Sequence, residues 1–196
     1  MQYSKFIWIG WLLLVFSCAQ ENTSSTNSNT TLSVAADSLS MRVDEGLMYY
    51  QNKVFTGTSI QYSDTGIKTI SITYANGKKE GLYRKWFEDE SLAFEAQYLD
   101  GKQHGTSKSW WKNGKLRSAS NFKNGVVDGI QQQWYKSGAK FKKFSIANGQ
   151  EEGLQQAWRE NGKIYNNYEA KHGRIFGLKR ANLCYKLEDE NIQLAD

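Results

Sequence analysis

Apolar and polar residues alternate in short runs through most of the chain. Leu92, Phe94 and Tyr98, for example, are separated by charged or polar residues such as Glu95. Alternation with a period of two is typical of strands with one buried face, and the Asn-Gly pairs between runs are typical of tight hairpin turns. The pattern therefore predicts an all-β fold, an elongated single antiparallel sheet formed by a meander of β-hairpins.

A period of 24 residues runs through the alternating region, and several separate positions of the unit keep it. The repeated glycines are Gly57, Gly81, Gly105, Gly129, Gly153 and Gly177, and the repeated tryptophans are Trp86, Trp110, Trp134 and Trp158. A fixed period of this length is typical of solenoid-like arrays, in which each unit packs on its neighbours. Within the unit, Asn113-Gly114 is expected to supply the positive φ angles of a tight hairpin turn.

The alternation also predicts how the side chains face. Leu82 and Trp86 share one side of the first strand of a unit, and Phe94 and Tyr98 share one side of the second. We expect both sets on the same apolar face, where ladders of Trp and of Tyr or Phe form the core, and we expect the other face to be polar. Hydrophobic residues make up 39% of the chain and proline is absent, as suits a thin sheet with Gly and Asn turns.

The repeated unit resembles a known family. Its elements are Trp followed by an aromatic residue, then Gly-Lys-Leu, and then Asn-Gly, as in residues 110–116 and Asn124-Gly125. This pattern resembles the MORN-repeat variant family, in particular its YwqK-type, antitoxin-like proteins, and residues 47–57 resemble the half-unit that opens such arrays. The resemblance covers residues 46–178 and implies an open antiparallel sheet of stacked hairpins without catalytic residues.

The amino terminus has the features of an export signal. Residues 1–17 contain one lysine followed by an apolar run too short to span a bilayer, which is typical of a secretory signal peptide. Cys18 follows Val15-Phe16-Ser17 and resembles the lipidated cysteine of a bacterial lipoprotein; the alternative is an ordinary signal peptide in which Cys18 is incidental. Ala19, rather than Asp, favours the outer membrane over the inner membrane. We therefore expect a lipid-anchored protein of the bacterial cell envelope.

The flanking segments complete the predicted organisation. Residues 18–40 comprise the lipidated cysteine and a Ser/Thr/Asn-rich stretch expected to be a flexible tether. Residues 41–177 are the repeat domain, and residues 178–196 are expected to be a capping strand and tail that protect the last repeat. Cys184 lies in this tail and is the basis of an alternative hypothesis, a thiol or metal-handling role. Lone cysteines are more often small buried hydrophobes, so no metal site is assigned.

The surface is expected to be basic and aromatic, since the chain has 25 Lys and Arg against 20 Asp and Glu. The candidate interaction residues are Phe87, Trp111, Tyr135, Lys108 and Arg117. The export signal argues against nucleic acid as a ligand, and a protein partner, an anionic glycan or a lipid headgroup fits better. An equally simple interpretation is that the basic residues keep a large sheet soluble.

The sequence contains no phosphate-binding loop, zinc-binding His pair or nucleophile elbow. We therefore expect no enzyme and no cofactor. The leading hypothesis is an envelope lipoprotein whose sheet is an interaction scaffold that binds a protein or another ligand. The alternatives are an antitoxin-like inhibitor of a partner toxin and a thiol or metal accessory that uses Cys184.

Overall fold

The computed structural model of the protein describes residues 31–178, and these residues contain strands and one short 3-10 helix. Cys18 and Cys184 lie outside them. The strands are β1 (Ser33–Ala35), β2 (Leu39–Arg42), β3 (Leu47–Tyr50), β4 (Lys53–Val54), β5 (Gly57–Tyr62), β6 (Lys68–Ala75), β7 (Lys78–Trp86), β8 (Leu92–Leu99), β9 (Lys102–Trp110), β10 (Leu116–Lys123), β11 (Val126–Val127), β12 (Gly129–Trp134), β13 (Lys140–Ala147), β14 (Gln150–Trp158), β15 (Ile164–Lys171) and β16 (Arg174–Leu178). The 3-10 helix is Ala36–Ser38.

The strands form a large, open meander. A 13-stranded sheet has the order β1-β5-β6-β7-β8-β9-β10-β12-β13-β14-β15-β16, with β11 paired to β10. All pairs from β5 onward are antiparallel, so the predicted all-β hairpin meander is confirmed. It differs from a single antiparallel sheet in two respects: β1 pairs parallel to β5, and β2, β3 and β4 form a separate three-stranded sheet.

The predicted tether is too long at its carboxyl end. Ser33–Ala35 extends the large sheet, and Leu39 and Ser40 pair with Tyr50 and Tyr49. The segment 31–40 therefore pairs with the first repeat, because a strand at the sheet edge offers unpaired backbone groups. Polar composition alone misassigned it, since backbone pairing does not require apolar side chains.

The turns between units have the predicted conformation. Both central residues of each turn have positive φ, for example 49° at Asn76 and 76° at Gly77. This is the type I′ geometry that matches the twist of the flanking strands and favours Asn-Gly. The same geometry occurs at Asp100-Gly101, Asn124-Gly125, Asn148-Gly149 and His172-Gly173.

The turns inside each unit differ from the prediction. At Asn113-Gly114 only the glycine has a positive φ, of 78°. Gly114 N–H donates to the Trp111 carbonyl (2.9 Å) and Trp111 N–H donates to the Lys115 carbonyl (2.8 Å). The prediction that both residues supply positive φ was wrong. Asn113 acts through its side chain, since its Oδ1 accepts the Lys115 N–H at 3.2 Å.

Two irregularities recur with the 24-residue period and shape the sheet. Near the repeated glycine the first strand of a unit contains two extra residues: Ile72 pairs with Tyr83, whereas Tyr74 pairs with Lys79. Gly81 lies in this bulge with a φ of 75°, a conformation that glycine adopts without strain. At the repeated tryptophan the second strand contains one extra residue. The residues skipped there are Thr69, Ala93, Arg117, Phe141 and Tyr165.

The register corrects the predicted faces. Ile72 pairs with Tyr83, which pairs with Ala96, so these side chains share one side, which we call the tyrosine face. Leu82 and Trp86 alternate with Tyr83 and lie on the opposite side, which we call the tryptophan face. The two apolar sets are therefore on different faces, and Leu82 pairs with Gln97 rather than with an apolar residue.

The core of the large sheet lies on the tyrosine face. Buried side chains there include small and polar residues next to aromatic ones: Ala96, Ser107 and Gln155 beside Tyr74 and Tyr168. The small residues leave room for neighbouring rings to lie over them. Where the array begins, the ring of buried Phe55 packs 5.7 Å from that of Tyr74 and joins the small sheet to the large one.

Candidate interaction surface

A row of side chains crosses the tryptophan face at one level, because the register aligns one position of every strand. Neighbours in such a row have Cβ atoms about 5 Å apart. From β7 to β15 the row consists of Arg84, Glu95, Lys108, Ala119, Gln132, Lys143, Gln156 and Asn167, which we call the polar row.

The two halves of the polar row differ in charge. Arg84 Nε donates to Glu95 Oε2 at 2.7 Å, and Glu95 also lies opposite Lys108. Two repeats later Lys143 occupies the position that corresponds to Glu95, between Gln132 and Gln156. No ion pair of Lys143 occurs within residues 31–178. The carboxyl-terminal half of the row is therefore cationic and not neutralised by a neighbouring carboxylate.

The repeated tryptophans lie beside the polar row, opposite the bulge that adds one residue to the second strand of each unit. Successive tryptophans are two strands apart, which corresponds to about 10 Å. Lys68 Nζ lies 4.1 Å from the ring centre of Trp86, and Lys140 Nζ lies 5.9 Å from that of Trp158. These cation–π contacts place positive charge beside aromatic surface at both ends of the array.

Between Trp134 and Trp158 the surface forms a small groove of about 100 Å³. Its walls include Gln132, Lys143 and Gln156 from the polar row. All five side chains are half-buried, so their conformations are restrained while part of each remains accessible. Gln133, Lys140 and Lys142 also line it, so the groove combines two indoles with three amides and three ammonium groups, a set that can bind a polar or anionic ligand.

Three predicted interaction residues, Phe87, Trp111 and Tyr135, are half-buried at the turns inside successive units. Trp111 Nε1 donates to the Trp134 carbonyl at 3.2 Å, and the Tyr135 hydroxyl donates to the Trp158 carbonyl at 2.9 Å. Burial raises the pKa of Tyr135. These bonds connect one repeat to the next, so Trp111 and Tyr135 have a structural role; an additional role in binding stays a prediction.

The two basic residues predicted for the surface are exposed. Lys108 lies in the polar row, and Arg117 is the extra residue at a bulge, with its guanidinium carbon 4.8 Å from the ring centre of Trp111. The structure does not bring Arg117 and Lys108 into one groove with Tyr135. It places the groove one repeat further along, around Lys143, which is not among the predicted interaction residues.

A second feature that sequence reasoning missed is a ladder of turn acceptors. Side-chain oxygens of Thr56, Glu80, Asp128 and Glu152 accept the N–H of the first residue in the next type I′ turn, at 2.8–3.0 Å. Their 24-residue spacing is visible in the sequence. The residues differ in size and charge, however, so residue type alone does not identify them as one repeated position. His104 occupies the same position in the remaining unit. Its Nδ1 is buried without a hydrogen-bond partner in the described part of the chain.

Within residues 31–178 no group of three His, Cys, Asp or Glu side chains is close enough to hold a metal ion. In the same residues, no helix has both the length and the apolar character needed to cross a membrane.

The comparison with known proteins bears on one of these units. Residues 103–124, which include β10 and all but the first residue of β9, match the family model of the MORN repeat variant. This unit is a MORN-type repeat. Its period and its two bulges recur in the neighbouring units, which supports the MORN-repeat interpretation of the array. No curated protein matches the chain.

Proposed function

We propose that the protein is a non-enzymatic interaction scaffold held at the bacterial cell envelope by a lipid on Cys18. The observation that carries the proposal is the polar row with its border of tryptophans, an ordered surface repeated at about 10 Å. Repeat sheets of this kind bind through extended surfaces rather than through one deep cleft. The groove around Lys143 offers binding groups without the acid–base pair that an enzyme would need.

The anchor rests on the sequence before the described residues. A secretory signal followed by Cys18 supports lipidation, and Ala19 supports an outer-membrane destination. The Ser/Thr/Asn-rich stretch up to residue 30 supplies a polar spacer that would hold the sheet away from the membrane.

The anchor is tested by metabolic labelling with a radioactive fatty acid. The wild-type chain and Cys184→Ser, the matched control for loss of a thiol, are expected to incorporate label and to fractionate with the outer membrane. Cys18→Ser is expected to incorporate none. Equal labelling of Cys18→Ser would show that this cysteine is not the anchor.

The scaffold is tested by crosslinking in intact cells. A photoreactive residue at position 108 lies on the tryptophan face, and one at position 85 lies on the tyrosine face, since Lys85 pairs with Phe94. Both positions are exposed. A specific crosslinked product from position 108 alone supports binding at the tryptophan face. Products from position 85 alone, or from neither position, contradict it.

The antitoxin-like and thiol hypotheses derive from the family resemblance and from Cys184. No observation within residues 31–178 favours either over the scaffold. Growth arrest on depletion that is relieved by deletion of one neighbouring gene would support an antitoxin-like function. Metal binding or thiol exchange lost in Cys184→Ser would support the other.

A further inference from the structure

We propose that the groove between Trp134 and Trp158 binds an acidic oligosaccharide, with Lys143 pairing to a sugar carboxylate. This inference rests on the proposed scaffold function and names the ligand class of one site on it. It concerns the half of the polar row in which the positive charge is not neutralised.

The charge pattern identifies an anion as the missing partner. In the amino-terminal half of the row, Glu95 forms an ion pair with its neighbour Arg84, whose Nε lies 2.7 Å from the Glu95 carboxylate. At the corresponding position 48 residues later Lys143 is half-buried between two uncharged amides. Lys140 and Lys142 line the same groove, so three ammonium groups converge there without a carboxylate partner within the described part of the chain. A ligand carboxylate would be stabilised at this site by charge-assisted hydrogen bonds.

The neighbouring side chains fit a sugar ring. The face of an indole carries negative partial charge and attracts the weakly positive C–H groups on one face of a pyranose. Each glutamine amide offers both donors and an acceptor for hydroxyl groups. Gln156 Nε2 donates to Asn167 Oδ1 at 3.1 Å, which orients this amide and leaves its carbonyl oxygen for a ligand.

The dimensions favour a chain of sugars rather than a membrane surface. Tryptophans repeat about every 10 Å across the strands, which is close to the length of two linked pyranose rings. The groove is lined mainly by polar groups and holds about 100 Å³, so it accommodates part of one residue of an oligomer that continues along the row. A lipid surface favours exposed cations on a flat face, whereas Lys140, Lys142 and Lys143 line a groove between two indoles.

The test uses the full chain with Cys18→Ser, which removes the lipid site and leaves residues 31–178 unchanged. The probe is tetragalacturonate, and its methyl ester is the neutral control of equal shape. Affinity is measured by isothermal titration and by tryptophan fluorescence. We expect the acid to bind at least about tenfold more tightly than the ester, and Lys143→Gln to lower this preference at least about threefold, with Lys140 and Lys142 supplying the remainder. Lys85→Gln, an exposed lysine on the tyrosine face, is expected to change the affinity less than about twofold.

Several results would overturn the proposal. Tetragalacturonate that does not bind, or that binds no better than its ester, would overturn it. Equal losses in Lys143→Gln and Lys85→Gln would also overturn it, because they would indicate general attraction to a basic sheet. Tighter binding of phosphatidylglycerol vesicles than of tetragalacturonate at equal anionic charge, with the vesicle affinity lowered in Lys143→Gln, would assign the site to a lipid surface. Thermal melting of each variant verifies folding. A failed sugar titration together with a retained crosslink from position 108 would reject the sugar and keep the scaffold.

Discussion

Several turn residues have positive φ angles, and the cost of this conformation depends on the residue type at each position. The turns inside the units place Gly66, Gly114, Gly138 and Gly162 at positive φ, and Glu90 adopts the same conformation with a φ of 61°. His172 similarly occupies a turn position filled by Asn or Asp in the other units, at 50°. A side chain with a Cβ is strained in this region, so these two residues are where the repeat departs from its preferred local structure.

Replacement of Glu90 by Gly is expected to stabilise the protein. The relief of strain exceeds the entropy that glycine loses on folding, for a gain of about 0.5–1 kcal/mol in the free energy of unfolding. Urea denaturation measures it. Gly114→Glu is the matched reverse change, since nothing lies within 4 Å of a Cβ built there. It should destabilise by a similar amount, and equal stabilities of Gly114→Glu and the wild type would contradict the argument.

Replacement of His104 by Asp is expected to restore the missing member of the turn-acceptor ladder. A carboxylate oxygen can accept the Asn124 N–H as Asp128 accepts the Asn148 N–H at 3.0 Å. Removal of a buried, unpartnered nitrogen and gain of this bond should raise the free energy of unfolding by about 1 kcal/mol. In the control Asp128→Ala, the same quantity should fall by about as much. A His104→Asp protein less stable than the wild type at pH 7 would argue against the ladder.

Tyr168 is expected to make stability depend on pH in the alkaline range. Its burial and the hydrogen bond from its hydroxyl to Glu151 (2.9 Å) raise its pKa to about 12, from 10. The folded state therefore keeps a proton that the unfolded state loses, and the contribution present below pH 10 declines as the pH rises from 10 to 12. Thermal melts of the wild type and Tyr168→Phe between pH 9 and pH 11.5 measure this contribution as the difference between the two pH profiles. Parallel pH profiles would contradict it.

At the scale of the element, the unit is a hairpin interrupted twice rather than a regular strand pair. One bulge contains the repeated glycine, and the other lies opposite the repeated tryptophan. Bulges increase local twist and redirect side chains. The second bulge places Trp134 and Trp158 beside the polar row, so the candidate groove depends on irregularities that recur in each unit.

The repeated glycines are expected to differ in sensitivity although they share one pattern position. A Cβ at Gly81 would meet nothing within 4 Å, so Gly81→Ala carries only the backbone strain of a φ of 75°, about 1 kcal/mol. A Cβ at Gly57 would lie 2.3 Å from the Leu32 carbonyl, which accepts the Thr58 N–H. Gly57→Ala should therefore lose more, about 2 kcal/mol or above, and expose the amides of β1 to exchange. Urea denaturation and hydrogen exchange measure both, and equal losses would contradict this account.

At the scale of the whole molecule, the array behaves as a sum of units and interfaces between neighbours. Each hairpin buries little by itself, and bonds such as that from Tyr135 to the Trp158 carbonyl connect it to the next. Open sheets also have edges, and β1, paired parallel to β5, covers one of them. Deletion of a whole unit should therefore lower the free energy of unfolding by the contribution of that unit, provided that every later side chain keeps its face of the sheet.

Deletion of one full period tests this phase requirement. Removing residues 106–129 deletes 24 residues and joins Gly105 to Ile130, so every later side chain keeps its face. Removing residues 107–129 deletes 23 and exchanges the two faces beyond the junction. The first variant is expected to fold cooperatively with a smaller denaturant m-value, and the second to lose cooperative unfolding. Circular dichroism and urea melts measure both. Similar unfolding of the two variants would show that the faces are interchangeable.

Local backbone chemistry explains why much of the fold could be predicted. Asn-Gly pairs at 24-residue intervals specify type I′ turns, because few other residues tolerate two successive positive φ angles. The number and order of hairpins follow from this spacing, as seen for Asn76-Gly77 and Asp100-Gly101. The exposure of Lys108 and Arg117 was also predictable, since long charged side chains are rarely buried. The location of the groove was not, because Lys143 gains its significance from residues on neighbouring strands.

The sequence by itself determined the period, the turns and the all-β meander, since each depends on the conformational preferences of residues close together in the chain. Only the tertiary structure decided which side chains share a face, because two bulges per unit add residues that alternation cannot count. It also decided that Ser33–Ala35 joins the sheet. The same register sets Lys143 between Gln132 and Gln156, where its charge has no neighbouring carboxylate in the described strands. Contacts of this kind join residues far apart in the chain, so they arise only when the strands are placed side by side.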